Sequence, residues 1–195
     1  MARLAVFASG RGSNFAAIAD YLKTSGSLHS LEFLLCEKPE AAVFDRAAER
    51  GVTSYHVSYK GRSREAAEAE MLIHASRHRV DLIALAGFMK LFTPFFLKGF
   101  QGDIINLHPA LLPKYPGTHG IEESYASGDM ELGITIMKID AGCDTGPLIL
   151  QKSFTRSGTE RMEEIEEKIH ALEHKWYPQC LCNLLDEIDR RKGAQ

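Results

Sequence analysis

The apolar positions of the chain fall into short continuous runs that alternate with longer amphipathic stretches. Continuous runs bounded by polar turns are typical of strands buried on both faces, whereas apolar residues spaced three and four apart are typical of helices. We therefore predict strands at residues 4–8, 31–36, 52–57, 80–86 and 104–107. The intervening helices are predicted at residues 15–22, 41–49, 63–77 and 94–99.

The alternation of strands and helices predicts an α/β fold with a doubly wound, mostly parallel, Rossmann-like sheet. After residue 117 we expect a helix at 121–127, an alternating strand at 132–139 and an antiparallel strand at 148–154. Residues 160–190 carry a helical pattern that we expect to be broken near Pro178, because proline lacks an N–H and clashes with the preceding turn. No repeat or linker divides the chain, which predicts one domain over residues 1–195.

The net charge and the spacing of the cysteines restrict the partners and metal sites that we expect. A net charge of −3 makes nucleic acid a poor candidate partner. No apolar stretch approaches the roughly 20 residues that span a bilayer, and the N-terminal apolar run is too short for a signal peptide. We expect a cytoplasmic protein with small-molecule partners and no metal, since the cysteines lack paired spacing and are expected to be thiols. These cysteines are Cys36, Cys143, Cys180 and Cys182.

The fifth predicted strand ends in two polar side chains, Asn106 and His108, which leave the same face because strand side chains alternate. Pro109 ends the strand because it has no N–H to donate. An imidazole that titrates near neutrality beside an uncharged amide suits the orientation of a carbonyl substrate. The alternative is a strand end capped by two satisfied polar residues, and this stretch alone does not decide between them.

A glycine turn at residues 9–14 joins the first predicted strand to its helix. The N–H groups of a first helical turn lack internal partners and attract anions, and Gly12 allows a close approach. The turn lacks the Lys of a P-loop, and Phe15 stands where a dinucleotide motif has its third glycine. An ordinary N-cap turn is the alternative. Because this turn and the Asn106/His108 pair both follow parallel strands, where ligands bind in such sheets, their convergence favours a functional site.

Two further segments have an unusual composition. Residues 87–92 place large apolar side chains directly after a strand, where they could line a pocket for a flat ligand or pack in the core. Residues 140–147 combine two acids, two glycines and a proline, which indicates a specialised backbone.

Taken together, these segments resemble the folate-dependent formyltransferase family. The matching residues are 9–14 (SGRGSN), 86–89 (AGFM), 106–117 (NLHPALLPKYPG), 144–147 (DTGP) and 171–178 (ALEHKWYP). The resemblance implies the formyltransferase fold. It also implies transfer of the formyl group of 10-formyltetrahydrofolate to the amine of glycinamide ribonucleotide in purine biosynthesis.

The resemblance also implies residue roles. Its catalytic positions are matched by Asn106, His108 and Asp144, and its ribonucleotide positions by Gly12, Ser13, Asn14 and Glu173. Its folate-binding positions are matched by Arg64, Met89, Lys90, Leu91, Phe92, Asn106, Asp140 and Asp144. In such a site, Asn106 and protonated His108 stabilise negative charge on the formyl oxygen. Asp144 favours the charged imidazole, since opposite charges stabilise each other. No serine or cysteine nucleophile is needed, which favours direct transfer.

Met137 and Gly120 depart from the family pattern, because many purine-pathway members have His at the first position and a larger residue at the second. The run around Met137 resembles members that formylate methionyl-tRNA, but the chain lacks their C-terminal β-barrel domain and a basic surplus. Two alternatives stay open: a hydrolase that releases formate from the same folate, and a non-catalytic folate- or nucleotide-binding module.

Overall fold

Seven strands form one sheet in the computed structural model, which describes residues 1–142 and 144–194. The strands are β1 (Arg3–Ala8), β2 (Ser30–Cys36), β3 (Ser54–His56), β4 (Leu82–Leu85), β5 (Asp103–His108), β6 (Glu131–Lys138) and β7 (Leu148–Thr155). The helices are α1 (Ser13–Thr24), α2 (Val43–Glu49), α3 (Arg64–Arg77), α4 (Pro94–Gly99), α5 (Gly120–Ala126) and α6 (Met162–Gly193).

The strand order is β3-β2-β1-β4-β5-β6-β7. The first five strands pair in parallel, β6 pairs antiparallel to β5, and β7 pairs antiparallel to β6. The predicted mostly parallel α/β sheet with an antiparallel C-terminal part is confirmed, and the strand that runs against the others is β6. Because β1 lies between β2 and β4, the chain reverses its direction of winding beside β1, where ligands bind in such sheets.

Both faces of the sheet are covered, which explains why β1 is apolar at every position from Leu4 to Ala8. Leu4 and Val6 face a core shared with α1, α2 and α6. Ala5 and Phe7 face a second core built with α3 and α4. The parallel strands therefore place their carboxyl ends between two helical layers, and the loops that follow these strands lie at one edge of the sheet.

The predicted elements occur in the predicted order, and the third and fourth strands are shorter than predicted. The fourth strand covers Leu82–Leu85 instead of residues 80–86. The third strand, β3, covers Ser54–His56 instead of residues 52–57. Its position at the edge of the sheet is the physical reason, since it pairs with β2 alone and through three residues.

The prediction that the C-terminal helix breaks near Pro178 is wrong. Helix α6 runs without interruption from Met162 to Gly193 and contains Pro178 as a buried residue. Side chains on both sides of the proline are buried against the sheet, including Ile169 before it and Leu185 after it. The burial of this long apolar face offsets the one backbone hydrogen bond that the proline cannot donate.

Three cysteines in the described residues are free thiols, and Cys143 lies outside those residues. Burial raises the pKa of the Cys36 thiol and raises that of Cys180 to about 11. Both thiols therefore stay protonated near neutral pH. Over the described ranges, we find no helix long and apolar enough to cross a membrane.

Helix α6 is fixed to the sheet by a buried tyrosine. The Tyr177 hydroxyl shares its proton between the carbonyl oxygens of Leu85 at 3.1 Å and Ile105 at 2.9 Å. Burial raises the pKa of Tyr177 well above its ordinary value, so the hydroxyl stays a donor. These carbonyls belong to β4 and β5, the strands that lead into two loops of the candidate site.

We expect Tyr177→Phe to lower the free energy of unfolding by about 1–2 kcal/mol, because it leaves buried strand carbonyls without their donor. Urea unfolding measures this change. Tyr21→Phe is the matched control, since the Tyr21 hydroxyl has no hydrogen bond among the described residues. A Tyr177→Phe protein as stable as the control would contradict the role of the hydroxyl.

Candidate active site

Asn106 and His108 lie at the carboxyl end of β5, on the same face of the strand, as predicted. Antiparallel pairing with β6 sets Asn106 opposite Met137 and His108 opposite Thr135. The His108 side chain is only 3% exposed. Met137, one of the two departures from the family pattern, is fully buried and shares the face of Asn106, because directly opposed residues project to the same side.

The His108 ring is oriented by the loop that follows it. Its Nε2 lies 2.7 Å from the backbone oxygen of Tyr115. A carbonyl oxygen only accepts hydrogen bonds, so Nε2 carries a proton and donates it. Tyr115 has a φ of 55°, and its hydroxyl donates to Asp129 at 2.6 Å. The ring therefore turns its other nitrogen, Nδ1, toward the site.

Asp144 meets both polar residues of β5. Its Oδ2 lies 3.6 Å from His108 Nδ1, and its Oδ1 lies 3.4 Å from Asn106 Nδ2. The backbone N–H of Gly117 donates to Oδ2 at 2.8 Å. The structure thus brings together the three residues that the resemblance marks as catalytic, although Asp144 lies far from the other two in the chain. Their catalytic roles stay a prediction.

The loop after His108 is held by Thr135, a residue that the sequence analysis missed. The buried Thr135 hydroxyl donates to the Ala110 oxygen at 2.7 Å and accepts from the Leu112 N–H at 3.0 Å. Gln151 of β7 donates to the same hydroxyl at 2.9 Å. Residues 132–137 are all buried, so the expected alternation of this strand is not observed. A threonine in such a strand needs polar partners, and this was the signal that the sequence carried.

The glycine turn forms the start of α1, with Gly12 as the N-cap residue at a φ of 75°. A Cβ on Gly12 would lie 2.4 Å from Cγ2 of Val43, so the turn also requires glycine for its close packing against α2. The first N–H groups of α1, beginning at Ser13, have no intrahelical acceptor and point into the site. This geometry fits the predicted anion site.

Glu173 of α6, which packs on the same face of the sheet as α1, is buried beside this turn. Its Oε2 accepts hydrogen bonds from Asn14 Nδ2 at 3.0 Å and from His170 Nδ1 at 2.8 Å. The hydrogen bond to Glu173 raises the pKa of His170, against an opposing effect of burial. Asn14 Oδ1 is buried and has no hydrogen-bond partner among the described residues.

The residues after β4 divide between the two outcomes that the sequence left open. Phe92 packs on Phe96 with ring centroids 4.0 Å apart, and Phe96 is fully buried. Met89 and Leu91 are instead 54% and 61% exposed, respectively. Part of this apolar bulk therefore belongs to the core, and part faces solvent beside the site.

Two charged residues accompany this segment. Arg64 donates from Nη2 to the Leu91 oxygen. The Lys90 ammonium lies over the Tyr59 ring, 5.6 Å from its centroid. The structure therefore gathers Arg64 with the segment at 89–92.

Asp140 begins the loop that ends at Asp144. Its Oδ1 accepts from the Gly142 N–H and the Thr145 hydroxyl, both at 2.8 Å. These hydrogen bonds, the backbone one first, lower the pKa of Asp140. The carboxylate thus shapes its own loop, and these two hydrogen bonds do not reach Asn106 or His108.

The arrangement places Asn106 Nδ2, a donor, beside His108 Nδ1, which becomes a donor when the ring carries both protons, on one side of β5. Paired donors of this kind stabilise an oxygen that gains negative charge during acyl transfer. In the portion of the chain that the structure describes, no group of three or more His, Cys, Asp or Glu side chains is arranged to hold a metal ion.

Comparison with known proteins places these features in a family. The model of the formyl transferase family matches residues 2–181. A phosphoribosylglycinamide formyltransferase of Bacillus subtilis is 42% identical over the full length of both chains. The Escherichia coli enzyme of the same name is 32% identical over 90% of this chain and 83% of its own. The crystal structure of glycinamide ribonucleotide transformylase 1 from Geobacillus kaustophilus is 42% identical, covers 95% of this chain and 99% of its own, and superposes with a TM-score of 0.91.

Gly120, the second departure from the family pattern, packs against the His108 ring. A Cβ on Gly120 would lie 3.1 Å from His108 Nε2 and 3.2 Å from the Ala110 Cβ. We expect Gly120→Ala to displace the ring and weaken its hydrogen bond to the Tyr115 oxygen, at a cost to stability of about 1 kcal/mol. Faster solvent exchange of the Nε2 proton, measured by NMR, reports the weakened bond.

Gly193→Ala is the matched control, since a Cβ there meets nothing within 4 Å. An Nε2 proton that exchanges as slowly in Gly120→Ala as in Gly193→Ala would show that the ring is not confined by Gly120.

The His170–Glu173 pair predicts how the stability of the fold depends on pH. The raised pKa of His170 means that its charged form stabilises the fold below the ordinary histidine pKa, and that this contribution is lost as the pH rises through the raised value. We expect Glu173→Gln to lower the pKa of His170 and to remove this pH-dependent stability. NMR titration of the ring measures the shift, with the distant His74 as the control. An unchanged His170 titration would contradict the coupling.

Proposed function

The chain belongs to the formyl transferase family, and from that membership we propose that it transfers the formyl group of 10-formyltetrahydrofolate to the amine of glycinamide ribonucleotide. The observation that carries this proposal is the convergence of Asn106 Nδ2 and His108 Nδ1 on one side of β5, at 3.4 and 3.6 Å from the Asp144 carboxylate. This reaction would be a step of purine biosynthesis.

The reaction forms a bond between the amine nitrogen and the formyl carbon and breaks the bond between that carbon and the folate nitrogen. Negative charge develops on the formyl oxygen during the attack. Asn106 donates to this oxygen from Nδ2 and His108 from Nδ1, since Nε2 is already bound to the Tyr115 oxygen. Donors that are fixed before the reaction stabilise this charge without reorganisation.

Asp144 acts on His108 through charge. Its carboxylate lies 3.6 Å from Nδ1, in a site where both side chains are nearly buried, and is the counter-charge to the ring when the ring carries both protons. The proton lost by the attacking amine passes to the leaving folate nitrogen, directly, through His108 or through water. The transfer needs no covalent enzyme intermediate.

The acceptor ribonucleotide fits the turn at Gly12, Ser13 and Asn14. The N–H groups at the start of α1 suit its phosphate, and the glycine leaves room for a close approach. Glu173 lies within hydrogen-bond distance of Asn14, so its carboxylate is available to the glycinamide amine. His170, whose pKa is raised, adds positive charge near the phosphate.

The formyl donor fits the surface formed by residues 89–92 and the Asp140–Asp144 loop. Exposed Met89 and Leu91 offer apolar contact to a flat heterocycle, and Arg64 and Lys90 suit the carboxylates of a folate tail. The same proposal includes a cytoplasmic location and small-molecule partners without nucleic acid, in keeping with the net charge of −3.

We expect product from 10-formyltetrahydrofolate only when glycinamide ribonucleotide is present. Absorbance of the deformylated folate measures turnover with and without the ribonucleotide. Turnover without it would contradict the transferase proposal and favour the hydrolase, and no turnover in either case would contradict both.

We expect His108→Ala to lower kcat by at least about 100-fold, because it removes a charged donor from the oxyanion. Circular dichroism checks that the fold is retained. His74→Ala, a change of the same size on α3, is the control and should keep wild-type kcat. A His108→Ala protein with near wild-type kcat would exclude the proposed role of the imidazole.

A further inference from the structure

The segment 89–92 has exposed apolar side chains on a backbone that is fixed at both ends. At its start, the Met89 N–H donates to Ser9 Oγ at 2.9 Å. The Ser9 hydroxyl in turn donates to Glu37 Oε2 at 2.9 Å. Ser9 and Glu37 are both more than nine-tenths buried, so this contact is shielded from water.

The other end is held by a second buried carboxylate. Glu68 of α3 is fully buried. Its Oε1 accepts from the Thr93 N–H at 3.0 Å, and its Oε2 accepts from the Thr93 hydroxyl. Thr93 is the N-cap residue of α4, so the carboxylate fixes the point where the segment enters that helix.

The middle of the segment rests on the same face of α3. Arg64 donates to the Leu91 oxygen and lies one helical turn before Glu68, so both side chains project to one side of α3. The Tyr59 ring lies under the Lys90 side chain of the segment. Burial first, and then the charge of Glu68, raises the pKa of Tyr59 to about 12. The hydrogen bonds with Ser9 and Arg64 reach backbone groups of the segment, and Met89 and Leu91 stay exposed.

Buried carboxylates are costly unless they accept strong hydrogen bonds, and they fix the geometry of the groups that donate to them. Thr93 donates directly to Glu68. Met89 donates to the Ser9 hydroxyl, which in turn donates to Glu37, so the two carboxylates act on either side of the exposed side chains. A segment held in this way loses less conformational entropy when a ligand binds, which increases affinity.

We propose that Glu68 and Glu37 are positioning residues for the formyl donor, which hold the backbone of residues 89–92 in its binding conformation before the donor arrives. This inference rests on the proposed function, in which that segment contacts the folate. It assigns to two residues outside the donor surface a specific effect on donor affinity.

The test compares Glu68→Ala with Glu68→Gln. The alanine variant leaves the Thr93 donors unpaired, and we expect the KM for 10-formyltetrahydrofolate to rise about tenfold. The KM for the ribonucleotide and kcat should stay within about twofold of wild type, since the groups at β5 and α1 are untouched. Glutamine can bond both the N–H and the hydroxyl of Thr93, so Glu68→Gln should restore the donor KM.

Glu65→Ala, an exposed glutamate on the same helix, is the matched control and should leave both KM values unchanged. Equal rises in the KM values of both substrates in Glu68→Ala, or a Glu68→Gln variant as defective as Glu68→Ala, would overturn the proposal.

Ser9→Ala tests the other end and is decisive where Glu68→Ala fails to fold. It removes the acceptor of the Met89 N–H, and we expect the same selective rise in the donor KM. Calorimetric titration with 10-formyltetrahydrofolate gives its Kd without turnover. If the wild-type protein binds the folate but transfers nothing, the proposed function alone is contradicted. If the Kd of Ser9→Ala equals that of the wild type, the positioning role is contradicted.

Discussion

The candidate site depends on the antiparallel pairing of β5 with β6. This register sets Asn106 opposite Met137 and His108 opposite Thr135. Because β6 runs antiparallel to β5, it ends beside Ile105, near the start of β5. The loop that follows it folds back along β5, where Asp144 meets both polar side chains. A slip of one residue would turn every side chain of β6 to the other face.

Around this pairing, the backbone does much of the positioning. His108 is held by the oxygen of Tyr115, Asp144 by the N–H of Gly117, and the intervening loop by the Thr135 hydroxyl. Backbone groups are suited to this task because their positions follow from the path of the chain and not from side-chain rotamers. The reactive side chains are therefore fixed by several weak hydrogen bonds, which come from different parts of the fold.

The sequence predicts the features that depend on local pattern. Apolar runs mark the strands, and the alternation at Asn106 and His108 predicts their common face. Features that depend on long-range packing were not predictable, because no local signal reports them. The meeting of Asp144 with His108 came only from the family resemblance, Thr135 and Glu68 pair with backbone groups distant in sequence, and Pro178 is tolerated because α6 is buried along its length.

The fixed orientation of the His108 ring also has a stereochemical consequence. With Nε2 tied to the Tyr115 oxygen, the ring presents Nδ1 on the side of Asn106 and Asp144. In the proposed reaction, the formyl oxygen is held between Nδ1 and the Asn106 amide. The planar formyl group then turns one of its faces toward the glycine turn at Gly12. The amine then attacks a single prochiral face, although neither the substrate nor the product retains a stereocentre that records the choice.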